Sequence, residues 1–221
     1  LADGPLTLSN TPQLSDVSTT LRLLMDMGSS FVLEEDGSIF IDSSNLVNLT
    51  AEYELVKTMR ASILTLGPML AKYKKAKISL PGGCAIGTRP VNLHLSALEK
   101  MGATIEVKNG YIYASTNELI GAQINFDLIS VTATENIIMA ATLAKGVTTI
   151  NNAAQEPEVT DLIRCLIKMG AKITGENTST LVIEGVDHLS GISYTICPDR
   201  IEAGTYLVAA AITGGKIIVN N

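Results

Sequence analysis

The sequence has no tryptophan, and aromatic side chains make up only 4% of its 221 residues. Because proteins that hold single-stranded nucleic acid stack its bases on aromatic rings, this scarcity argues against such a surface. Charge is also sparse: Asp, Glu, Lys and Arg account for 17% of residues, and the net charge is −6. An acidic chain offers no basic face to nucleic acid or to anionic lipid, so we expect neither partner.

Cysteine and histidine are scarce as well. The three cysteines, Cys84, Cys165 and Cys197, are an odd number without CxxC spacing, which argues against a disulfide framework or a zinc site. His94 and His188 lack metal-ligand spacing, and we interpret both as surface or partly buried residues without a metal. There is no apolar run long enough to span a bilayer and no signal peptide, so we expect a cytoplasmic protein.

Internal repetition is the strongest feature that is present. The stretches DVSTTLRLLMDMGSSF, RPVNLHLSALEKMGATI and PEVTDLIRCLIKMGAKI each contain a Met-Gly pair. Apolar residues stand eleven, seven and four positions before each glycine, on one face of an amphipathic helix. We expect Gly28, Gly102 and Gly170 to end these helices, and Asp16 to cap the start of the first. Asn109-Gly110 predicts a hairpin turn.

A second repeated piece is apolar on all sides. Its copies are ASILTLGPMLA, NIIMAATLA and TYLVAAAI, and a helix without a polar face is expected to be buried all round. Residues 62–71 should therefore be almost fully buried. Each copy leads into a predicted short strand, AKISLPG, GVTTINN or GKIIVNN, and GPLTLSN is a fourth such strand. The predicted unit is a buried helix, a strand, a loop, an outer helix and a hairpin.

The order of these pieces predicts an α/β domain over residues 1–197. Residues 198–221, beginning at Pro198-Asp199, are interpreted as a return segment toward a second domain that the chain does not contain. The chain opens on a strand whose own buried helix is absent and closes on the equivalent strand. We therefore expect an internal piece of a longer protein; a natural domain with permuted repeats is the alternative.

The glycine-rich stretch LPGGCAIGTRP, residues 80–90, is the first candidate site. Pro90 suits the first turn of the following helix, whose N-terminus favours an anion. The planar guanidinium of Arg89 suits phosphate or carboxylate, so the loop is predicted to hold a small anion beside the thiol of Cys84. The alternative is that Cys84 fills a turn and Arg89 is a solvated charge. Cys165 on an outer helix and Cys197 in a strand are interpreted as core packing.

Three further stretches carry weaker signals. The stretch ISVTATEN, residues 129–136, offers backbone N–H groups for phosphate, unless Thr134 only caps a helix there. Arg60 precedes a buried helix and is either solvated or an anion ligand. Glu156 and Glu158 are interpreted as charges that complement a helix dipole.

Four stretches resemble the UDP-N-acetylglucosamine 1-carboxyvinyltransferases, or UDP-GlcNAc enolpyruvyl transferases. They are YELVKTMRASILTLGPMLA, ISLPGGCAIGTRPVNLHLSALEKMGA, NNAAQEPEV and PDRIEAGTYLVAAA, and the similarity runs over essentially the whole chain. The resemblance implies an inside-out α/β barrel of three βαβαββ units around a pseudo-threefold axis. It also implies transfer of the enolpyruvyl group of phosphoenolpyruvate to the 3′-hydroxyl of UDP-GlcNAc, with release of phosphate, as the first committed step of bacterial peptidoglycan synthesis. No cofactor is expected, and the partners are the two substrates and the rest of the same polypeptide.

The resemblance further implies roles for matching positions. Cys84 matches the lid cysteine, which acts as general acid at the enolpyruvyl carbon, can attach to it covalently and is alkylated by fosfomycin. Arg89 matches an arginine that contacts phosphate, and Arg60 one that reaches the bound ligands. The segments that match the uridine-nucleotide site comprise Pro90, Val91, Asn92 and Leu93, together with Leu128, Ile129, Ser130 and Val131.

The chain departs from the family pattern in three respects. Asn92 stands where the family carries aspartate, and Leu128 where some members carry lysine, which puts details of nucleotide contact in question. The family's Lys-Asn pair, catalytic aspartate and further arginines lie outside the chain. Two other functions stay open: the sister enzyme that makes enolpyruvylshikimate phosphate, against which PGGC argues, and a non-catalytic α/β module that binds a phosphorylated ligand.

Overall fold

Three small sheets surround a central pair of helices in the computed structural model, which describes residues 1–57, 59–80 and 91–220. The first repeat contains β1 (Leu6–Ser9), α1 (Ser15–Asp26), β2 (Ser30–Leu33) and β3 (Ile39–Asp42). The second contains β4 (Thr50–Ala51), α2 (Tyr53–Val56), a 3-10 helix (Arg60–Thr65), α3 (Leu66–Tyr73), β5 (Lys75–Ser79), α4 (Asn92–Lys100), β6 (Thr104–Lys108) and β7 (Tyr111–Ser115). The third contains β8 (Gln123–Asn125), α5 (Val131–Ala141), β9 (Val147–Asn151), α6 (Pro157–Lys168), β10 (Lys172–Thr174) and β11 (Thr180–Glu184), and β12 (Ser193–Thr195) and α7 (Arg200–Thr213) follow.

The three sheets share one strand order, and this confirms the three-unit fold. Each has a short edge strand parallel to a central strand, which pairs antiparallel with the hairpin: β4-β5-β7-β6, β8-β9-β11-β10 and β12-β1-β3-β2. The first sheet is completed by β12, with Leu8 opposite Tyr194. The edge strands have only two or three residues, too few for an alternating pattern, so the repeat unit predicted from the sequence lacked them.

The outer helices end as their sequences predict. Met27, Met101 and Met169 are the buried C-cap residues, and the glycine after each adopts a positive φ, 108°, 92° and 111° in turn. The Asn109-Gly110 turn also has positive φ at both positions, as a tight hairpin requires. The prediction for Asp16 is wrong. Leu14 is at the N-cap, and Asp16 lies in the first turn, where its charge still favours the helix dipole.

The central helices α3 and α5 pack closely because Gly67 has no side chain. A Cβ on Gly67 would lie 2.4 Å from the backbone oxygen of Asn136, well inside contact distance. No residue of 62–71 is exposed, although Leu64, Thr65 and Pro68 are half-buried. The buried segment is therefore confirmed, but it is divided into a 3-10 turn and an α-helix.

Two apolar surfaces remain open among the described residues. A cavity of about 390 Å³ lies beside α3 and α5, with Leu23, Leu64, Pro68, Met139 and Leu162 in its wall. Helix α7 has no buried residue, so its expected burial on every side is wrong within this chain. Residues 215–220 were predicted to contain a strand and have no regular structure, because no neighbouring strand pairs with them.

Candidate functional site

Three segments predicted to bind ligands meet at one end of the central helices. They are the start of the 3-10 helix at Arg60, the start of α4 after Val91 and the start of α5 after Ser130. His94, in the first turn of α4, is 1% exposed and contacts Thr132 and Asn136 of α5. Asn136 in turn donates a hydrogen bond to Ile63 of the 3-10 helix. The fold therefore brings together all the described candidate segments.

Asn136 connects these segments with three hydrogen bonds. Its Oδ1 accepts the backbone N–H of Gly67 at 2.7 Å, and its Nδ2 donates to the carbonyl of Ile63 at 3.1 Å. The same Nδ2 lies 3.0 Å from Nδ1 of His94, whose Nε2 lies 3.4 Å from the Thr132 hydroxyl. Breaking these bonds would leave buried polar groups without partners, which costs free energy. The network therefore fixes the junction between the 3-10 helix and α3.

The electrostatics of the site keep His94 neutral. Burial, and secondarily the positive charge of Arg60, lower the pKa of His94 to about 4. The interpretation of His94 as a surface or partly buried residue is therefore wrong, because the residue is enclosed by α4 and α5. His188 is exposed, as expected.

The start of α5 differs from the sequence interpretation in one detail. Ser130, not Thr134, caps the helix, and its Oγ accepts the N–H of Ala133 at 3.3 Å. Thr134 is buried, and its hydroxyl accepts the N–H of Ala154 from the loop before α6 at 3.1 Å. Just before the cap, Leu128 and Ile129 are 70% and 59% exposed, so two apolar side chains border this helix start.

The N-terminal region of α6 carries an acidic group of residues. Glu156 is the N-cap residue of α6 and Glu158 lies in its first turn, as the dipole interpretation requires. Glu158 also forms an ion pair with Arg200 at 2.7 Å. Nearby Glu135, on α5, has its pKa raised to about 7 by burial and then by the charges of Glu158 and Glu156.

The glycine-rich loop lies outside the described residues, and with it Cys84, Arg89 and Pro90. The other two cysteines are half-buried. Cys165 packs against the core, as predicted, and its pKa is raised to about 11, chiefly by burial. Cys197 lies beyond the end of β12, so its placement in a strand is wrong; its N–H donates to Asp161 at 3.2 Å.

Sequence reasoning missed the contribution of Asn136. The signal was an amide at the start of the otherwise apolar stretch NIIMAATLA, which was taken only as part of a buried helix. Within the described ranges, no cluster of three or more His, Cys, Asp or Glu side chains could hold a metal ion. Over the same ranges, each helix is too short or too polar to cross a bilayer.

Solved structures of similar shape include enolpyruvyl transferases. NikO from Streptomyces tendae superposes with a TM-score of 0.81 at 20% identity, over 95% of this chain and 50% of that chain. EPSP synthase from Acinetobacter baumannii gives 0.73 at 21% identity, over 96% of this chain and 48% of that one. The chain therefore has the enolpyruvyl transferase fold. The model of the family EPSP synthase (3-phosphoshikimate 1-carboxyvinyltransferase) matches residues 1–221, and the chain belongs to this family.

Curated relatives are far more similar to this chain in sequence than the proteins of these solved structures are. Proteins named UDP-N-acetylglucosamine 1-carboxyvinyltransferase from Ruthia magnifica subsp. Calyptogena magnifica and from Hydrogenovibrio crunogenus are 76% and 58% identical over 221 residues. Each match covers 100% of this chain and 53% of the relative. The chain thus spans about half the length of the curated relatives it matches.

Proposed function

We propose that the whole protein containing this chain transfers the enolpyruvyl group of phosphoenolpyruvate to the 3′-hydroxyl of UDP-N-acetylglucosamine and releases phosphate. The observation that carries this proposal is the 57–76% identity to relatives named for that activity, over 98–100% of the chain. The solved enolpyruvyl transferases share only 20–21% identity and support the fold alone. The sister reaction on a shikimate phosphate is therefore the weaker candidate.

The geometry of the three segments supports nucleotide binding at this end of the fold. The N-termini of α4 and α5 present backbone N–H groups and a partial positive charge, which favour the diphosphate of a nucleotide sugar. Val91, Asn92 and Leu93 stand at one of these helix starts and Ser130 and Val131 at the other. Exposed Leu128 and Ile129 give apolar surface for the uracil ring, and Asn92 offers an amide to its polar edge.

The chemistry assigns two tasks to the glycine-rich loop. As the 3′-hydroxyl oxygen bonds to C2 of phosphoenolpyruvate, it loses its proton to a base that the rest of the polypeptide is proposed to supply, and C3 gains a proton, for which Cys84 is the proposed donor. In the second step a base takes a proton from C3, phosphate leaves C2 with the electron pair of the C2–O bond, and the C2–C3 double bond returns. Arg89, with its planar guanidinium, is proposed to hold the leaving phosphate, and Arg60 to reach the bound ligands from the 3-10 helix.

The active site is proposed to need a second domain of the same polypeptide. Residues 1–197 would form the domain that carries Cys84, and residues 198–221 the start of the return to the other domain. The relatives' double length supports this division. The open apolar cavity beside α3 and α5 and the unburied, largely apolar α7 also support it, since each offers apolar surface that a second domain could cover.

In the cell, this activity would serve cell-wall synthesis in the cytoplasm, and so cell shape and division, and would be a target of fosfomycin. The test is phosphate release by the whole protein from phosphoenolpyruvate with UDP-GlcNAc or with shikimate 3-phosphate as acceptor. We expect turnover with UDP-GlcNAc only, and none from residues 1–221 alone. Turnover with shikimate 3-phosphate would favour the sister enzyme, and ligand binding without turnover would favour a non-catalytic module.

A further inference from the structure

His94 and Asn136 have no task in the transfer chemistry, yet together they contact all three segments of the candidate site. His94 belongs to α4, Asn136 to α5, and the bonds of Asn136 to Ile63 and Gly67 reach the helix pair that begins at Arg60. Both side chains are buried, and Asn136 is 0% exposed. If these two positions only filled space, apolar residues would be more favourable there, because buried polar groups cost free energy unless they are hydrogen-bonded.

The hydrogen bonds determine which ring nitrogen of His94 carries the proton. The N–H of Gly67 needs an acceptor, so Oδ1 of Asn136 points toward it and Nδ2 toward His94. An Nδ2 group is a donor only, and therefore Nδ1 of His94 must accept and be unprotonated. The proton of the neutral ring then lies on Nε2, which faces the Thr132 hydroxyl and donates to it.

We propose that His94 is a positioning residue that sets the spacing of the two nucleotide-binding helix starts, a role that rests on the proposed function. Its Nε2–H holds Thr132, in the first turn of α5, against the first turn of α4. Asn136 fixes the His94 ring by donating a hydrogen bond to Nδ1. Its bond to Ile63 also joins the starts of α4 and α5 to the 3-10 helix that begins at Arg60. The two segments predicted to contact the nucleotide thus move as one body, and UDP-GlcNAc meets a preorganised site.

The test uses the intact protein and steady-state kinetics with each substrate varied. His94→Asn keeps an acceptor near Asn136 but is too short to reach Thr132, and Thr132→Val removes the accepting hydroxyl at nearly constant shape. We expect each variant to raise the KM for UDP-GlcNAc about five- to tenfold, with kcat and the KM for phosphoenolpyruvate within about twofold of the parent. The double variant should be no worse than either single variant, because both remove one bond. Exposed His188→Asn is the matched control and should leave all three constants unchanged.

Several outcomes would overturn the role. An unchanged KM for UDP-GlcNAc in Thr132→Val would do so, because residue 132 is half-buried and valine keeps the shape of its side chain. An equal loss in every constant would also overturn it. Nitrogen-15 NMR of histidine-labelled protein gives a second measurement: we expect His94 neutral with its proton on Nε2 at pH 7, and a proton on Nδ1 would contradict the network. Absence of turnover by the parent protein would instead refute the proposed function, so the two failures are distinguishable.

Discussion

Arg200 and Glu158 form a bidentate ion pair that joins the start of α7 to the first turn of α6. The Arg200 Nε lies 3.0 Å from one carboxylate oxygen and its Nη2 2.7 Å from the other. The pair lowers the pKa of Glu158, chiefly through the hydrogen bond to Arg200. It is also the one ion pair that α7 forms within the described residues.

Removing this ion pair should free the start of α7 from α6, while the free energy of unfolding of the domain changes little. The two side chains are 45% and 39% exposed, and solvent screens such pairs, so Arg200→Ala should lower the free energy of unfolding only slightly at pH 7. Because the pKa of Glu158 is lowered by folding, that contribution should vanish as pH falls through this pKa. Limited proteolysis near Pro198 should accelerate in Arg200→Ala. Arg164→Ala, which breaks the Arg164–Glu176 pair elsewhere on α6, should leave that cleavage unchanged; equal rates in both variants would contradict the prediction.

The contact between Gly67 and Asn136 predicts opposite effects of alanine at two helix glycines. Gly67→Ala should destabilise the protein by about 1–3 kcal/mol, since the new methyl would meet the backbone oxygen of Asn136 and also its Oδ1, which the hydrogen bond from the Gly67 N–H holds in place. Gly204, in α7, has open space around it in this structure, so Gly204→Ala should stabilise the protein of residues 1–221 by about 0.5–1 kcal/mol. Urea unfolding of both variants measures the difference. If Gly67→Ala proves as stable as the parent, the close packing of α3 on α5 is wrong.

Glu135 should make stability decrease between about pH 5 and pH 8. The folded protein holds the Glu135 proton up to about pH 7, whereas the unfolded chain loses it near the ordinary pKa of 4.5. The folded state therefore binds more protons in this range, and its stability decreases as pH rises. Glu135→Gln should raise the free energy of unfolding by about 1–2 kcal/mol at pH 8 and change it little at pH 4. Exposed Glu99→Gln is the control, and a pH slope that survives in Glu135→Gln would assign it to another group.

The thiols should react with fosfomycin and iodoacetamide in a defined order. The pKa of Cys165 is raised to about 11, and burial also raises that of Cys197. Both are therefore almost entirely protonated at pH 7, and a protonated thiol is a poor nucleophile. We expect the first label at Cys84 in the intact protein, located by peptide mass mapping, with Cys84→Ser as the unlabelled control. Preferential labelling of Cys165 or Cys197 would refute the assignment of the lid cysteine.

Local patterns predicted the outer helices and hairpins because their signals lie close together in sequence. Three Met-Gly pairs at equal distance from apolar residues, and Asn109-Gly110, each specify one turn of backbone whatever surrounds it. The edge strands were not predictable in this way, since two or three residues are held by their neighbours in the sheet. Burial of α7 also depends on its surroundings, and within the described residues no neighbouring element buries any residue of TYLVAAAI.

The same distinction applies to the candidate site: its local motifs were predicted, and the contact between distant residues was not. Arg60 and the two helix starts were identified from local motifs and from the resemblance, and the fold brings them together. The link between them was not foreseen, because His94 and Asn136 are 42 residues apart and each resembles an ordinary polar residue on an apolar helix. The roles of Cys84 and Arg89 remain predictions.

The pairing of β1 with β12 determines when the domain can be completed during synthesis. Thr7 and Ser193 are partners in the ladder although they are 186 positions apart in the chain, whereas the second and third sheets use strands that lie much closer together. A ribosome releases β1 to β3 well before β12, which is their edge strand. The second and third sheets can therefore form while β1 still exposes an unpaired edge, and such edges attract other chains. The first sheet thus depends for protection on a strand that is made much later than its other three, which makes it the vulnerable one of the three sheets until β12 has been synthesised.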